Sequence, residues 1–395
     1  MEKKSSSKLL SYLSYTSTTL RLVGLWPATE KNSKADSGIK GILNFVYFVV
    51  VALSLIVQAG QMLTNCWINY TNFESAAESI GPMMALVTSF GKMCIYRRQR
   101  AILGRLIQSL ENCLNHGPSE VLENLENYVK YGSLGCGSLL GMSWLLTVGY
   151  LSAPIVGRAR VLPFASWYPF DLENSMILYS LAYSHEVFLT VLGCCTMSTE
   201  ITFVLSIFHC CARLKVLRGK LETVADPESH DNYDDFHNKI GAKLSSIVKL
   251  HCEILRDIEE INFAYTYIVM VLFFAAVIAI CCAGLQVTSD SAESTSWTIL
   301  FLVLAMYYAE QLLFYYLPSE ILVQEALAVS FSAYACGWES FEIKHRKTIG
   351  LMIMRSYEPP KLLAGNLSPL RLENYNAFLT TTASYFTSIR AVADA

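Results

Sequence analysis

Six runs of mainly apolar residues, each long enough to cross a bilayer as a helix, dominate the chain. They fall at about Ile39 to Leu63, Ala76 to Tyr96, Tyr131 to Leu151, Ser175 to Phe208, Ile261 to Gln286 and Trp297 to Leu317. The predicted class is an all-α membrane protein. A further stretch near the C-terminus, "AFLTTTASYFTSIR" at Ala377 to Arg390, is too polar for an ordinary lipid-facing helix and too apolar for a free tail. In lipid, Thr380, Thr381, Thr382, Ser384, Thr387 and Ser388 would each need a hydroxyl partner. Bonding back to the helix's own carbonyls or a face turned to water would satisfy them.

The helical pattern also runs beyond the spans. Ile247, Leu250, Ile254, Ile258 and Ile261 recur every three or four residues and lead straight into the fifth span, while Leu322, Ala326, Val329 and Ala333 continue the stripe of the sixth. Each stripe needs a partner, either inside one subunit or across a subunit boundary.

Charge placement sets the orientation. Of the 30 Lys and Arg residues, all but Arg158, Arg160 and Arg390 lie in residues 1–40, 92–130, 213–256 and 344–371. Basic residues concentrate on the cytoplasmic side of membrane proteins, so the N-terminus and three long connections are expected inside. Segments 64–75, 152–174 and 287–296 are then outside, and the last stretch becomes a seventh crossing that ends outside. This is the reverse of a G-protein-coupled receptor. The sequon "NYT" at Asn69 falls in the first outside segment, whereas "NLS" at Asn366 falls inside, so Asn69 is the candidate glycosylation site.

Composition agrees with a multi-span protein: 53% hydrophobic residues, 16% charged, and a mean hydropathy of +0.36. A net charge of -3 gives no basis for nucleic-acid binding. The start of the chain has no cleavable apolar core, and the first span is expected to act as an uncleaved anchor. Of twelve cysteines only Cys66 is clearly outside, which excludes an internal disulfide framework, and no Cys pair has a His or carboxylate at metal-ligand spacing. No cofactor is implied. No phosphate-cradling glycine loop, HExxH or nucleophile elbow appears, so no enzyme activity is expected. Ionisable residues near or within the spans, His185, Glu186, Glu200 and Glu310, are read as structural, with Glu200 expected to pair with a basic residue of the cytoplasmic end.

Five motifs in order, "GLWP", "IVKLHCEILRDIEEINFAYTYI", "AYACGWESF", "LMIMRSYEPPKLLAG" and "SPLRLENYNAFLTTTASYFTSIR", resemble the successive marks of the insect odorant receptor family over essentially the whole chain. The resemblance implies an odorant-gated, nonselective cation channel in the plasma membrane of olfactory-neuron dendrites. Its members form a heterotetramer of a tuning subunit with a shared co-receptor, Orco. The co-receptor's long extra loop in the second cytoplasmic connection is absent here, so the chain resembles a tuning subunit. An insect gustatory receptor is the alternative, though "SYFTSIR" departs from the TYhhhhhQF-type ending of that family (h apolar). A seven-span G-protein-coupled receptor is a more distant one.

The resemblance also implies a division of the chain: a cytoplasmic segment 1–38, spans and odorant bundle 39–318, a cytoplasmic anchor 319–365, and a pore-lining last helix 366–395. The anchor would join subunits through Leu250, Ile254, Ile258, Tyr334 and Trp338. The odorant cavity would lie among the second, third, fourth and sixth spans. Depth and helical face select Met83, Val87 and Phe90; Ser138, Gly141, Met142, Trp144 and Leu145; Tyr179, Tyr183 and Val187; and Leu302, Met306 and Tyr307. Such walls favour a small, largely apolar volatile, with Tyr183, Ser138 or His185 able to supply one hydrogen bond. The resemblance implies that the narrowest pore positions lie three and seven residues after Tyr385, at Ser388 and Val392, while Tyr385 itself, Phe378, Phe386 and Ile389 are expected to pack on the bundle.

Overall fold

The computed structural model describes residues 2–26, 39–70, 73–156, 162–172, 174–225, 233–288 and 295–393. Its long helices are α2 (Ile39–Ile68), α3 (Phe73–Arg98), α5 (Ser119–Val156), α6 (Met176–Thr196), α7 (Ser198–Glu222), α8 (Tyr233–Thr288), α9 (Thr295–Tyr334) and α11 (Leu372–Ala393). Further helices are α1 (Glu2–Leu22), α4 (Arg100–His116) and α10 (Ile343–Tyr357). Among the described residues, five segments are long and apolar enough to cross a membrane: α2, α5, the α6–α7 pair, α8 and α9. Two others, α3 and α11, carry more polar residues and join the bundle by packing on α8.

The fourth apolar run is two helices rather than one. Met197 ends α6 and its backbone N–H reaches back to the Cys194 carbonyl at 3.2 Å, after which α7 starts at Ser198. In the best apolar window of this pair 83% of residues are buried, against 17% for α2. Most of α7 is buried, polar residues such as Thr199, Glu200 and His209 included, because it packs against α5, α8, α9 and α1. By contrast α2 turns Ile42, Phe45, Val46, Val50 and Leu53 outward, a surface suited to lipid chains.

Both stripes that run beyond the spans are continuous helix. In α8 the stripe buries Ile247, Ile254, Ile258 and Ile261, and α9 passes through Pro318 without a break to bury Leu322, Val329 and Ala333. Gly337, in the left-handed conformation that favours glycine, ends the run. Within segment 1–38 the residues Glu2–Leu22 form α1, an element that the apolar runs do not reveal; it packs on α7, α6 and α5.

A small hairpin positions the last helix. Strands β1 (Leu363–Ala364) and β2 (Ser368–Pro369) pair around Gly365 and Asn366, both at positive φ. The hairpin docks on α8: the Leu363 N–H donates to Asn262 Oδ1 at 2.8 Å and the Gly365 N–H to the Thr266 carbonyl at 2.9 Å. A side chain at Gly365 would collide with Met270, so close approach as well as backbone conformation requires glycine there. Glu320 of α9 then receives the Arg371 guanidinium and the Leu372 N–H, fixing where α11 begins.

Candidate functional site: a buried cavity between four spans

A cavity of about 90 Å³ lies between α3, α5, α6 and α9. Its walls are Pro82, Ala85, Leu86, Thr88 and Ser89 of α3; Ser143, Leu146, Thr147 and Tyr150 of α5; Leu189, Thr190, Gly193 and Cys194 of α6; and Leu304, Tyr307 and Tyr308 of α9, with Phe164 and Met197 completing them. No charged side chain lines it. Small residues line three of the four helices, and this leaves space where larger side chains would close the bundle.

One closure of the cavity is an ordered loop, residues 162–172, held by the buried Glu186 of α6. Glu186 Oε2 accepts the Phe164 N–H at 3.1 Å, and Oε1 accepts Gln58 Nε2 and the Tyr168 hydroxyl, both at 3.1 Å. Gln58 Nε2 also reaches Ser166 Oγ at 2.8 Å. Burial, with the neighbouring Glu186 carboxylate, pushes the Tyr168 phenol above its ordinary pKa, so it stays a donor at neutral pH. The loop thereby presents Phe164 to the cavity, its ring centroid 5.4 Å from that of Tyr150.

Deeper in the bundle, beside Met197, there is a buried polar cluster. Lys92 of α3 pairs directly with Glu200 of α7, and Glu200 also accepts Gln311 Nε2 of α9 at 3.0 Å and Thr199 Oγ1 at 2.9 Å. Gln311 Nε2 lies 3.4 Å from Met197 Sδ, to which the Tyr307 hydroxyl donates at 2.9 Å. The partner of Glu200 is thus Lys92, a buried lysine in the C-terminal part of α3 and the first of the basic residues at 92–130. His185, half-buried, faces Ser54 Oγ at 3.3 Å.

Of the fourteen residues that depth and helical face selected, Tyr307 lines this cavity and the other thirteen do not. Trp144 (46% exposed), Leu145 (56%), Met306 (63%), Leu302, Val87, Ser138 and Gly141 face out of the bundle. Met83 is buried and Phe90, Met142 and Val187 are half-buried in helix packing; Tyr179 stacks on Tyr183, whose hydroxyl donates to the Leu151 carbonyl at 3.0 Å. The selection favoured large apolar residues, which in a membrane suit lipid as well as a core. The cavity wall is instead marked by a stripe of small and hydroxyl-bearing residues at Ala85, Ser89, Ser143, Thr147, Thr190 and Gly193.

The other expected sites divide similarly. Ile254 and Ile258 are buried within their own subunit, which corrects their reading as subunit contacts, and Leu250 is half-buried. Tyr334 is exposed and accepts the Trp338 indole N–H on its carbonyl at 3.0 Å. Exposed apolar side chains nearby are Phe331, Ile343, Leu351 and Met354, on α9 and α10. On α11, Phe378 is buried against Phe273, and Phe386 lies close over Gly284, whereas Tyr385 is 52% exposed and does not pack on the bundle. Thr380, Thr382, Ser384, Thr387 and Ser388 all donate to carbonyls one turn back on α11. The Val392 side chain lies outside the described residues. Asn69 ends the turn after α2 with Nδ2 bonded to the Asn65 carbonyl, and Thr71 of its sequon lies outside the described residues.

The family model described as 7tm odorant receptor matches residues 72–383. The chain belongs to this family. Odorant receptor 30a of Drosophila melanogaster is 23% identical over 253 residues, 62% of this chain; the match spans only 63% of that relative's length. Odorant receptor Or2 of Anopheles gambiae is 24% identical over 68% of this chain and 71% of its own. Odorant receptor 13a of Drosophila melanogaster is 22% identical over 94% of both. The insect olfactory receptor OR5 from Machilis hrabei, solved in complex with eugenol, superposes with a TM-score of 0.81 at 18% identity, covering 98% of this chain and 99% of that one. The odorant receptor fold is therefore shared along almost the entire chain. These relatives are receptors and not enzymes, and the five apolar segments make this chain a membrane protein.

Proposed function

We propose that this chain is the odorant-tuning subunit of a ligand-gated cation channel, with the cavity between α3, α5, α6 and α9 as its odorant site. The observation that carries the reading is a buried, uncharged cavity inside a bundle of odorant receptor fold. Removing a small neutral molecule from water into such walls is favourable, whereas an ion would lose its hydration without a counter-charge. The structural neighbour OR5 was solved with eugenol, itself a small neutral molecule.

In this reading the chain assembles with the co-receptor, Orco, as a heterotetramer in the plasma membrane of olfactory dendrites, N-terminus inside and glycosylated at Asn69. Residues 39–318 carry the odorant bundle, 319–365 the subunit anchor and 366–395 the pore helix. The exposed apolar residues of α9 and α10, with Tyr334 and Trp338, form the anchor contacts. Ser388 and Val392 line the pore, and the exposed hydroxyl face of α11 supports this: its side chains are already bonded to backbone and tolerate either water or protein. Ser388→Leu is expected to reduce the current, or change its ion preference, with surface expression intact.

Coexpression with the co-receptor in oocytes tests the function. Volatile-evoked cation current that requires both chains is the expected result. A chain that reaches the surface and gives no current with any volatile contradicts the channel reading, and current from this chain alone contradicts the heteromer.

A further inference from the structure

We propose that the hydroxyls of Tyr150 and Tyr308 together recognise an oxygen on the ligand, so that the receptor is tuned to neutral carbonyl-bearing volatiles over hydrocarbons of the same shape. This rests on the reading of the cavity as the odorant site.

The argument comes from an inventory of the cavity's polar groups. Most of its hydroxyls are already engaged. Thr88 donates to the Ala85 carbonyl at 3.0 Å, Thr147 to Ser143 at 3.0 Å and Thr190 to Glu186 at 2.7 Å. Ser143 Oγ reaches Cys194 Sγ at 3.2 Å, Ser89 Oγ lies 3.5 Å from Thr196 Oγ1, and the Tyr307 hydroxyl is spent on Met197. Tyr150 and Tyr308 differ. Both are buried, both line the cavity, and among the described residues neither hydroxyl has a hydrogen-bond partner. Thr266, Tyr315, Tyr316 and Ser356 also bury an unpartnered hydroxyl, but they do not line this cavity.

Neither ring is free to carry its hydroxyl elsewhere. Tyr150 lies between Phe164 and Trp297, at centroid distances of 5.4 and 6.3 Å, and Tyr308 packs edge-on to Tyr307 at 5.6 Å. A buried hydroxyl left unpaired is costly, and a ligand that supplies the partner recovers that cost on binding. A carbonyl oxygen has two lone pairs and no proton, so it accepts from both tyrosines and leaves no ligand donor unpaired. With no charged group in the wall, a carboxylate or ammonium is excluded.

The experiment uses isosteric pairs in oocytes expressing the chain with the co-receptor. Cyclohexanone is compared with methylenecyclohexane and acetophenone with α-methylstyrene, on wild type, Tyr150→Phe and Tyr308→Phe. Each ketone is expected to act at roughly tenfold lower concentration than its isostere on wild type. Either phenylalanine variant should narrow that gap to about threefold or less. Equal potency of ketone and isostere on wild type overturns the inference, as does a gap that survives both variants. So does silence to all four compounds in a receptor that answers other volatiles. Silence to every volatile instead contradicts the proposed function.

Discussion

Lys92 and Glu200 leave 2% and 1% of their side chains exposed, in a region where the chain crosses a bilayer. Neither ion could be left there alone; Gln311 and Thr199 supply the further hydrogen bonds that a buried carboxylate requires. Removing one partner leaves an uncompensated charge. Lys92→Met is therefore expected to destabilise the protein by about 3–5 kcal/mol, read as a lower unfolding temperature in detergent, and Lys92→Met with Glu200→Leu should recover most of that loss. A double variant no more stable than the single one would show that the pair is not the source of the penalty. The sequence marks Glu200 as needing a partner, but the partner lies on a helix distant in the chain, and only the packing of α3 on α8 and α6 brings it within reach. The same holds for Tyr150 and Tyr308, whose unpaired hydroxyls are a property of what surrounds them.

At the scale of elements, Glu186 joins the loop at residues 162–172 to α2 and α6. It accepts one backbone and two side-chain donors, so Glu186→Ala should release the loop. Hydrogen exchange at the Phe164 amide is expected to accelerate at least tenfold, with α8 unchanged; unaltered exchange would mean that the loop is held by other contacts. The helices themselves were largely legible, because a run of apolar residues and a stripe at three- and four-residue spacing follow directly from helix geometry. Their facing was not. Trp144 and Leu145 look like core residues and face outward, while Gly193 and Ser89 look unremarkable and line the cavity. Lipid rewards apolar side chains as a core does, so hydrophobicity loses its sense of inside and outside, and small residues become the better guide. The break at Met197 was equally hidden, since the run holds no proline and its one glycine, Gly193, lies inside α6 rather than at the break.

For the whole molecule, the ordered motifs carried the family, and the comparison over residues 72–383 bears that out. The polar last helix and the helices that extend beyond the spans belong to one architecture: a bundle of spans, the long helices α8 and α9 that continue out of it, and α11 docked on both. Its central claim is that the cavity between α3, α5, α6 and α9 receives the ligand that opens the channel. A Cβ placed at Gly193 meets no closer neighbour than Ser89 Oγ at 3.8 Å, so Gly193→Leu is accommodated by the backbone and extends toward the cavity. The most direct test is the concentration of a volatile needed for half-maximal current with the co-receptor present, compared between Gly193→Leu and Trp144→Ala. The account predicts a rise of roughly tenfold or more for Gly193→Leu and less than about twofold for Trp144→Ala, at equal surface expression. An unchanged response in Gly193→Leu, or loss of response in Trp144→Ala, would contradict it.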